Sequence, residues 1–180
     1  MSKAEEVLSE IENKIERGEF LPIVGPDRGR ILVEVIREVK PKRVLEIGTF
    51  IGYSAILMGK ELGSDDQLLT IEINPHAAKI AKENIKRAEI PSKVKVLVGD
   101  ALKLLQKLEG EFDLVFIDAD KQQYLDYLRL IEDKLHKGSV IVADNVEHAP
   151  DYLDYVRRSG KYKSRHVPAH AGGLEVSVKL

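Results

Sequence analysis

Apolar positions along this 180-residue chain fall into two regimes. In the first forty or so residues they recur at helical spacing. Val7, Leu8, Ile11 and Ile15 share one face of a predicted helix over 3–16. Ile31, Leu32, Val35 and Ile36 share one face of a second over about 28–39, which Pro41 stops. Gly18 to Gly29 between them reads as a loop. Beyond this, short continuous apolar runs take over: Arg43–Ile47, Gln67–Ile73, Val94–Val98, Leu114–Ile117 and Val140–Ala143. Helical patterns separate them at about 52–62, 75–88, 101–108 and 121–135. Continuous apolar strands alternating with helices predict a parallel sheet buried on both faces. After Pro150 come a short helix and two strand-like segments near 162–167 and 174–179. The second alternates with period two over Leu174–Val178 and predicts an antiparallel edge strand.

Composition narrows the function classes. A length of 180 residues is most simply one domain, here 1–180, with 1–20 as an N-terminal helical extension. The apolar stripe of that extension fits its own domain or a second subunit, so a homodimer is one expectation. There is no cysteine, hence no disulfide framework, zinc-thiolate site or thiol nucleophile. A formal net charge of -2 gives no global bias toward nucleic acid. The start, Met1-Ser2-Lys3-Ala4-Glu5-Glu6, lacks the apolar core of a signal peptide, and no stretch approaches the ~20 apolar residues of a membrane span. A cytoplasmic, soluble protein with no membrane partner is expected.

Candidate chemistry sits at the strand ends. Val44-Leu45-Glu46-Ile47-Gly48-Thr49-Phe50-Ile51-Gly52-Tyr53-Ser54 is an apolar strand ending in an acid, then a glycine turn that opens a helix. That order makes a pocket at the carboxyl end of a parallel strand. Gly48-x-x-x-Gly52 is not the G-x-G-x-x-G of a dinucleotide site, which disfavours an NAD-linked oxidoreductase. An acid at this point suits a ligand with a cationic end, such as the amino acid and sulfonium of S-adenosylmethionine. The five strands end in Glu46, Glu72, Asp100, Asp118 and the Asp144-Asn145 pair. Glu72, before Pro75, is poorly placed as a helix cap and suits two ribose hydroxyls. Asp100 reads equally as the cap of the next helix. Asp118, Asp144 and Asn145 end neighbouring strands and form a hard, all-oxygen donor set for Mg2+, Mn2+ or Ca2+. The other reading pairs the two acids with Lys121 or another base. The five histidines show no metal spacing; His148, His166 and His170 fall in late loops that could rim the pocket.

With these motifs in place the chain resembles the metal-dependent O-methyltransferases that use S-adenosylmethionine, of the catechol and caffeoyl-CoA types. The resemblance runs from about Val24 to Val176, through VLEIGTFIGYSA at 44–55, LLTIEINP at 68–75, VLVGDA at 96–101, VFIDADKQQY at 115–124 and VIVADNV at 140–146. It implies a Rossmann-like class I methyltransferase fold: a mostly parallel seven-stranded sheet with an antiparallel edge strand and helices on both faces. It also implies roles. Glu46 and the Gly48 backbone would line the amino-acid end of the cofactor, and Ser54 and the Val24 backbone would hold its carboxylate. Glu72 would take the ribose, and Asp100 and Ala101 the adenine edge. Phe50, Gly52, Ile73 and Asp118 would complete the cofactor site. Asp118, Asp144 and Asn145 would bind one divalent ion, with Lys121 as general base.

Two departures bear on the acceptor. Catechol O-methyltransferase has a tryptophan two residues after the first metal aspartate, where this chain has Asp120 and no Trp anywhere. The late loop Val167–Gly173 carries no acid for a second hydroxyl. Phe20 and Pro22 are candidate replacements for the wall. The expected acceptor is a small hydroxylated aromatic with a catechol-like vicinal diol. The alternative is a hydroxyuridine of tRNA, approached over Arg28, Arg30, Arg157, Arg158, Lys161, Lys163 and Arg165. A cofactor-binding regulator without turnover is disfavoured by the intact acid, amide and lysine set.

Overall fold

A computed structural model describes residues 1–180. Seven strands form one sheet in the order β3-β2-β1-β4-β5-β7-β6. Their ranges are β1 Arg43–Ile47, β2 Gln67–Glu72, β3 Lys93–Val98, β4 Phe112–Ile117, β5 Leu135–Asp144, β6 Tyr162–Ala169 and β7 Gly172–Lys179. The first five pair in parallel; β7 runs antiparallel to both β5 and β6. The helices are α1 Lys3–Glu16, α2 Gly25–Val39, α3 Tyr53–Gly59, α4 Pro75–Ala88, α5 Ala101–Leu104, α6 Tyr124–Ile131 and α7 Pro150–Arg158.

Alternation of side chains along the strands explains the apolar runs. Val44, Leu114, Phe116, Val140 and Val142 join one core with α1, α2 and α3. Leu45, Ile47, Val115, Ile117, Ile141 and Ala143 join a second core with Tyr124, Leu128, Tyr152 and Val156 of α6 and α7. Each central strand is buried on both faces, so it reads as continuously apolar.

Several expectations are revised. The late strand over Leu174–Val178 is not at the edge: β7 lies between β5 and β6, and β6 is the edge. Its period-two polar positions, Glu175 and Ser177, are fully buried. They are polar because Arg157 and Ser164 bond Glu175, and Ser164 bonds Ser177. The long helical pattern at 121–135 is α6 alone, with 3-10 turns at Lys121–Gln123 and Glu132–Lys134. Helix α2 starts at Gly25, three residues early, with Pro26 in its first turn. The stripe of α1 (Ala4, Val7, Leu8 and Ile11) is buried within the chain's own core. Glu12 also accepts a hydrogen bond from Tyr53 at 2.6 Å. Ile15, the last residue of the predicted stripe, is left 37% exposed.

The strand order reverses between β1 and β4, with all five strands parallel: β2 and β3 extend one way from β1, β4 and β5 the other. The crevice at the carboxyl ends of these two strands is where ligands bind in open α/β sheets.

Candidate active site

A cavity of about 410 Å3 opens at this crevice, within the size range of small-molecule sites. Its wall includes Val24, Gly48, Phe50, Ser54, Glu72, Ile73, Ala101, Asp118 and Lys121. Nine of the expected site residues therefore meet at one cavity. Glu46, Gly52, Asp100, Asp144 and Asn145 are not part of its wall.

The turn after β1 brings backbone close to β4. Gly48 has φ 104°, and a Cβ there would overlap the Asp118 carbonyl. Phe50 follows with φ 50°, uncommon for a residue with a side chain. Its N–H donates to Glu72 Oε1 at 2.7 Å, and the Asn74 N–H donates to Glu72 Oε2 at 2.9 Å. The Glu72 carboxylate thus ties two turns together and keeps lone pairs for further donors. Gly52, at φ 92°, begins α3 and packs on the backbone of Ala81, so it shapes the turn from behind.

Glu46 corrects the expectation that it lines the pocket. It is fully buried, on the α3 side of β1, because Ile47 rather than Glu46 ends the strand. It accepts hydrogen bonds from Ser54 Oγ and, at 2.6 Å, from Thr70 Oγ1, and Thr70 pairs with Thr49 at 2.6 Å. Burial pushes its carboxyl up to about 8, against the hydroxyls that favour the charged form. Ser54 stands between it and the cavity. Asp100 caps α5, accepting from the Leu102 N–H at 2.9 Å, so the capping reading holds.

At the ends of β4 and β5 the acids gather. Lys121 Nζ donates to Asp118 Oδ1 at 3.3 Å and to the Ala119 carbonyl at 2.9 Å. Arg28 Nη1, from α2, donates to Asp144 Oδ1 at 3.0 Å and Asn145 Oδ1 at 2.7 Å. Asn145 is left-handed, φ 54°, which turns its amide toward the arginine. Tyr124 donates its hydroxyl to the Asp144 carbonyl at 2.8 Å from beneath. Burial, then the charge of Asp118, raises the Asp144 carboxyl to about 7; burial also raises Asp118, against the pull of Lys121. The structure thus shows the pairing reading, Asp118 with Lys121 and Asp144 with Arg28; two acids and an amide oxygen at neighbouring strand ends are also the donor chemistry that a hard divalent ion takes. Groups of three or more His, Cys, Asp or Glu with metal-binding placement do not occur, because the third donor here is an asparagine.

The remaining candidates separate. Pro22 lines the cavity, but Phe20 is 91% exposed and does not. His148, His166 and His170 do not line it; the His170 N–H instead ties the β6–β7 turn to Asp27 at 2.8 Å. Sequence reading missed Thr49, Gln123 and Tyr127 of the wall and the role of Arg28. Of the basic residues suggested for RNA, Arg28, Arg30, Arg157, Arg158 and Lys161 each sit within 4 Å of a carboxylate. That leaves Lys163 and Arg165 of the suggested patch, and no helix is long and apolar enough to cross a membrane.

A family model described as O-methyltransferase matches residues 2–154. Catechol O-methyltransferase B of Danio rerio is 38% identical over 189 aligned residues, covering 97% of this chain and 72% of that protein. Catechol O-methyltransferase of Mycobacterium tuberculosis is 40% identical over 124 residues, 68% of this chain and 56% of that protein. An O-methyltransferase from Bacillus cereus, solved in complex with SAH, superposes with a TM-score of 0.82 at 26% identity, covering 99% of this chain and 90% of that one.

Proposed function

The chain belongs to the O-methyltransferase family, and from that premise we propose that it moves the methyl group of S-adenosylmethionine to one hydroxyl of a catechol-like vicinal diol, with a divalent ion. The observation that carries the reading is the single cavity joining Glu72 and the Gly48 turn at one end to Asp118 and Lys121 at the other.

The cofactor half follows from the groups. Glu72, already held by two backbone donors, would accept from the ribose hydroxyls. Gly48 would allow close approach of the amino-acid end; the Val24 backbone and Ser54, its hydroxyl turned from Glu46, would hold its carboxylate; and Phe50 and Ile73 would flank the ribose and base. Ala101 faces the adenine edge, with Asp100 keeping the α5 turn in place. Glu46 and Gly52 support this wall from behind.

The acceptor half rests on Lys121 and the acids. Asp118, Asp144 and Asn145 would hold the ion. That ion, Mg2+ or a similar hard cation, would lower the acceptor hydroxyl's pKa and fix both diol oxygens. Lys121 Nζ, in its neutral amine form, would take the hydroxyl proton as the new O–CH3 bond formed and the S–CH3 bond broke, with the sulfonium leaving as a neutral thioether. Asp118 orients Lys121 through the 3.3 Å contact. The walls hold donor and acceptor at attack distance, which supplies much of the rate. The small cavity and the similarity to catechol O-methyltransferases favour the small-molecule reading over tRNA.

The experiment is methyl transfer from labelled S-adenosylmethionine to catechols, caffeoyl compounds and tRNA, with Mg2+ or with chelator. Ion-dependent transfer to a diol is the expected result. Transfer to tRNA alone, or transfer to a diol undiminished by chelator, would overturn the reading.

A further inference from the structure

Arg28 occupies an unusual place for a basic residue of a surface helix. Its neighbours Arg30 and Arg37 are 72% and 65% exposed, whereas Arg28 is 17% exposed. One nitrogen, Nη1, donates to both Asp144 Oδ1 and Asn145 Oδ1, at 3.0 and 2.7 Å. The same side chain, through Nε, donates to the Val24 carbonyl at 3.3 Å. Val24 lines the cavity.

Two of the three oxygens assigned above to the ion are thus engaged by a guanidinium. A divalent ion takes such oxygens at about 2.0–2.6 Å, and one lying between Asp144 Oδ1 and Asn145 Oδ1 would stand where Nη1 now stands. Two cations at that one point would repel each other strongly. A charged buried acid beside a second acid is costly, and a cation at that corner offsets the cost. Arginine, always charged and planar, does so without a proton exchange.

We infer that Arg28 is a resident counter-ion that exchanges places with the divalent ion. With the ion away, its guanidinium neutralises the Asp144–Asn145 corner. For the ion to enter, Arg28 swings outward, freeing both oxygens and letting go of the Val24 carbonyl. Arg28 is therefore a positioning residue that links the ion seat to the loop at the cofactor's carboxylate end. The inference rests on the ion assignment made under the proposed function. One consequence follows from linkage. The apparent ion affinity is reduced by the fraction of molecules in which Arg28 is turned in, and a variant without the guanidinium escapes that reduction.

The test is a Mn2+ titration followed by the paramagnetic resonance signal of free Mn2+, with S-adenosylhomocysteine binding measured alongside. Four proteins are compared: the parent chain, Arg28→Met, Arg30→Met and Asp144→Asn. Methionine cannot ligate a hard ion, so it adds no donor. Arg28→Met is expected to bind Mn2+ about tenfold tighter or more. Arg30→Met removes the same charge from an exposed site two residues away and should stay within about twofold, since solvent and salt screen it. Asp144→Asn should lose the site. Without ion, Arg28→Met should melt below the parent chain, and saturating Mn2+ should close the gap. A merely structural arginine would weaken ion binding when removed, so equal or weaker Mn2+ binding by Arg28→Met overturns the exchange and leaves the ion assignment standing. Failure of both the parent chain and Arg28→Met to bind Mn2+, with S-adenosylhomocysteine still bound, would make Arg28 a permanent partner. That result overturns the exchange together with the ion half of the proposed function, and leaves the cofactor half.

Discussion

Gly48 faces the carbonyl of Asp118 so closely that a Cβ would collide with it, at a φ of 104° that side chains rarely adopt. The end of β1 and the end of β4 are thereby pressed together, and the cavity's two halves meet at this point. Gly48→Ala should cost about 2–4 kcal/mol, since it combines an unfavourable backbone conformation with a backbone clash. Urea unfolding checks this. An unchanged midpoint would mean that the turn has room the structure does not show.

Glu46 gives a pH prediction. Its carboxyl is raised from 4.5 to about 8 in the folded protein, chiefly by burial. The unfolded chain loses this proton first. The contribution of Glu46 to stability is therefore whole below about pH 4.5 and is lost as pH rises toward about 8. Glu46→Gln keeps the neutral shape without the titration. It should be close to the parent chain in stability near pH 5 and more stable by roughly 4 kcal/mol near pH 9. Unfolding curves at the two pH values decide this. A constant difference between parent and variant would show that Glu46 does not titrate in this window.

Lys121→Ala should lower turnover by about a hundredfold or more while changing S-adenosylhomocysteine affinity little, because the lysine is assigned to the proton and not to the cofactor. Steady-state kinetics and calorimetry separate the two. Near-parent turnover would remove Lys121 from the base role.

Asp144→Ala should abolish ion-dependent turnover yet leave cofactor binding largely intact, since Asp144 lies behind the cavity wall, at the Arg28 corner. The same calorimetry serves as the check, with chelated parent protein as reference. A variant that still responds to Mg2+ would show that the seat lies elsewhere.

Much of this was legible in the residues. Strands with both faces buried are continuous apolar runs, so their carboxyl ends, and Glu72, Asp118 and Asp144 upon them, could be read directly. Depth was less legible. Glu46 looks like a strand-end acid, but the strand runs one residue further, and alternation turns Glu46 into the core beneath Ser54. Burial of Glu175 and Ser177 was hidden for a similar reason: period two signals one polar face, but not that α7 lies over it and lays Arg157 on Glu175. The Arg28 contacts span 116 and 117 positions and arise only when α2 crosses the end of β5, so no local pattern announces them.

The most direct test of the account compares catechol with its 1,3-dihydroxy isomer as methyl acceptors, product masses being followed with Mg2+ and with chelator. The account predicts one methyl on catechol, dependent on the ion, and little on the isomer, whose oxygens cannot share one cation. Equal methylation of both isomers, with or without chelator, would contradict it.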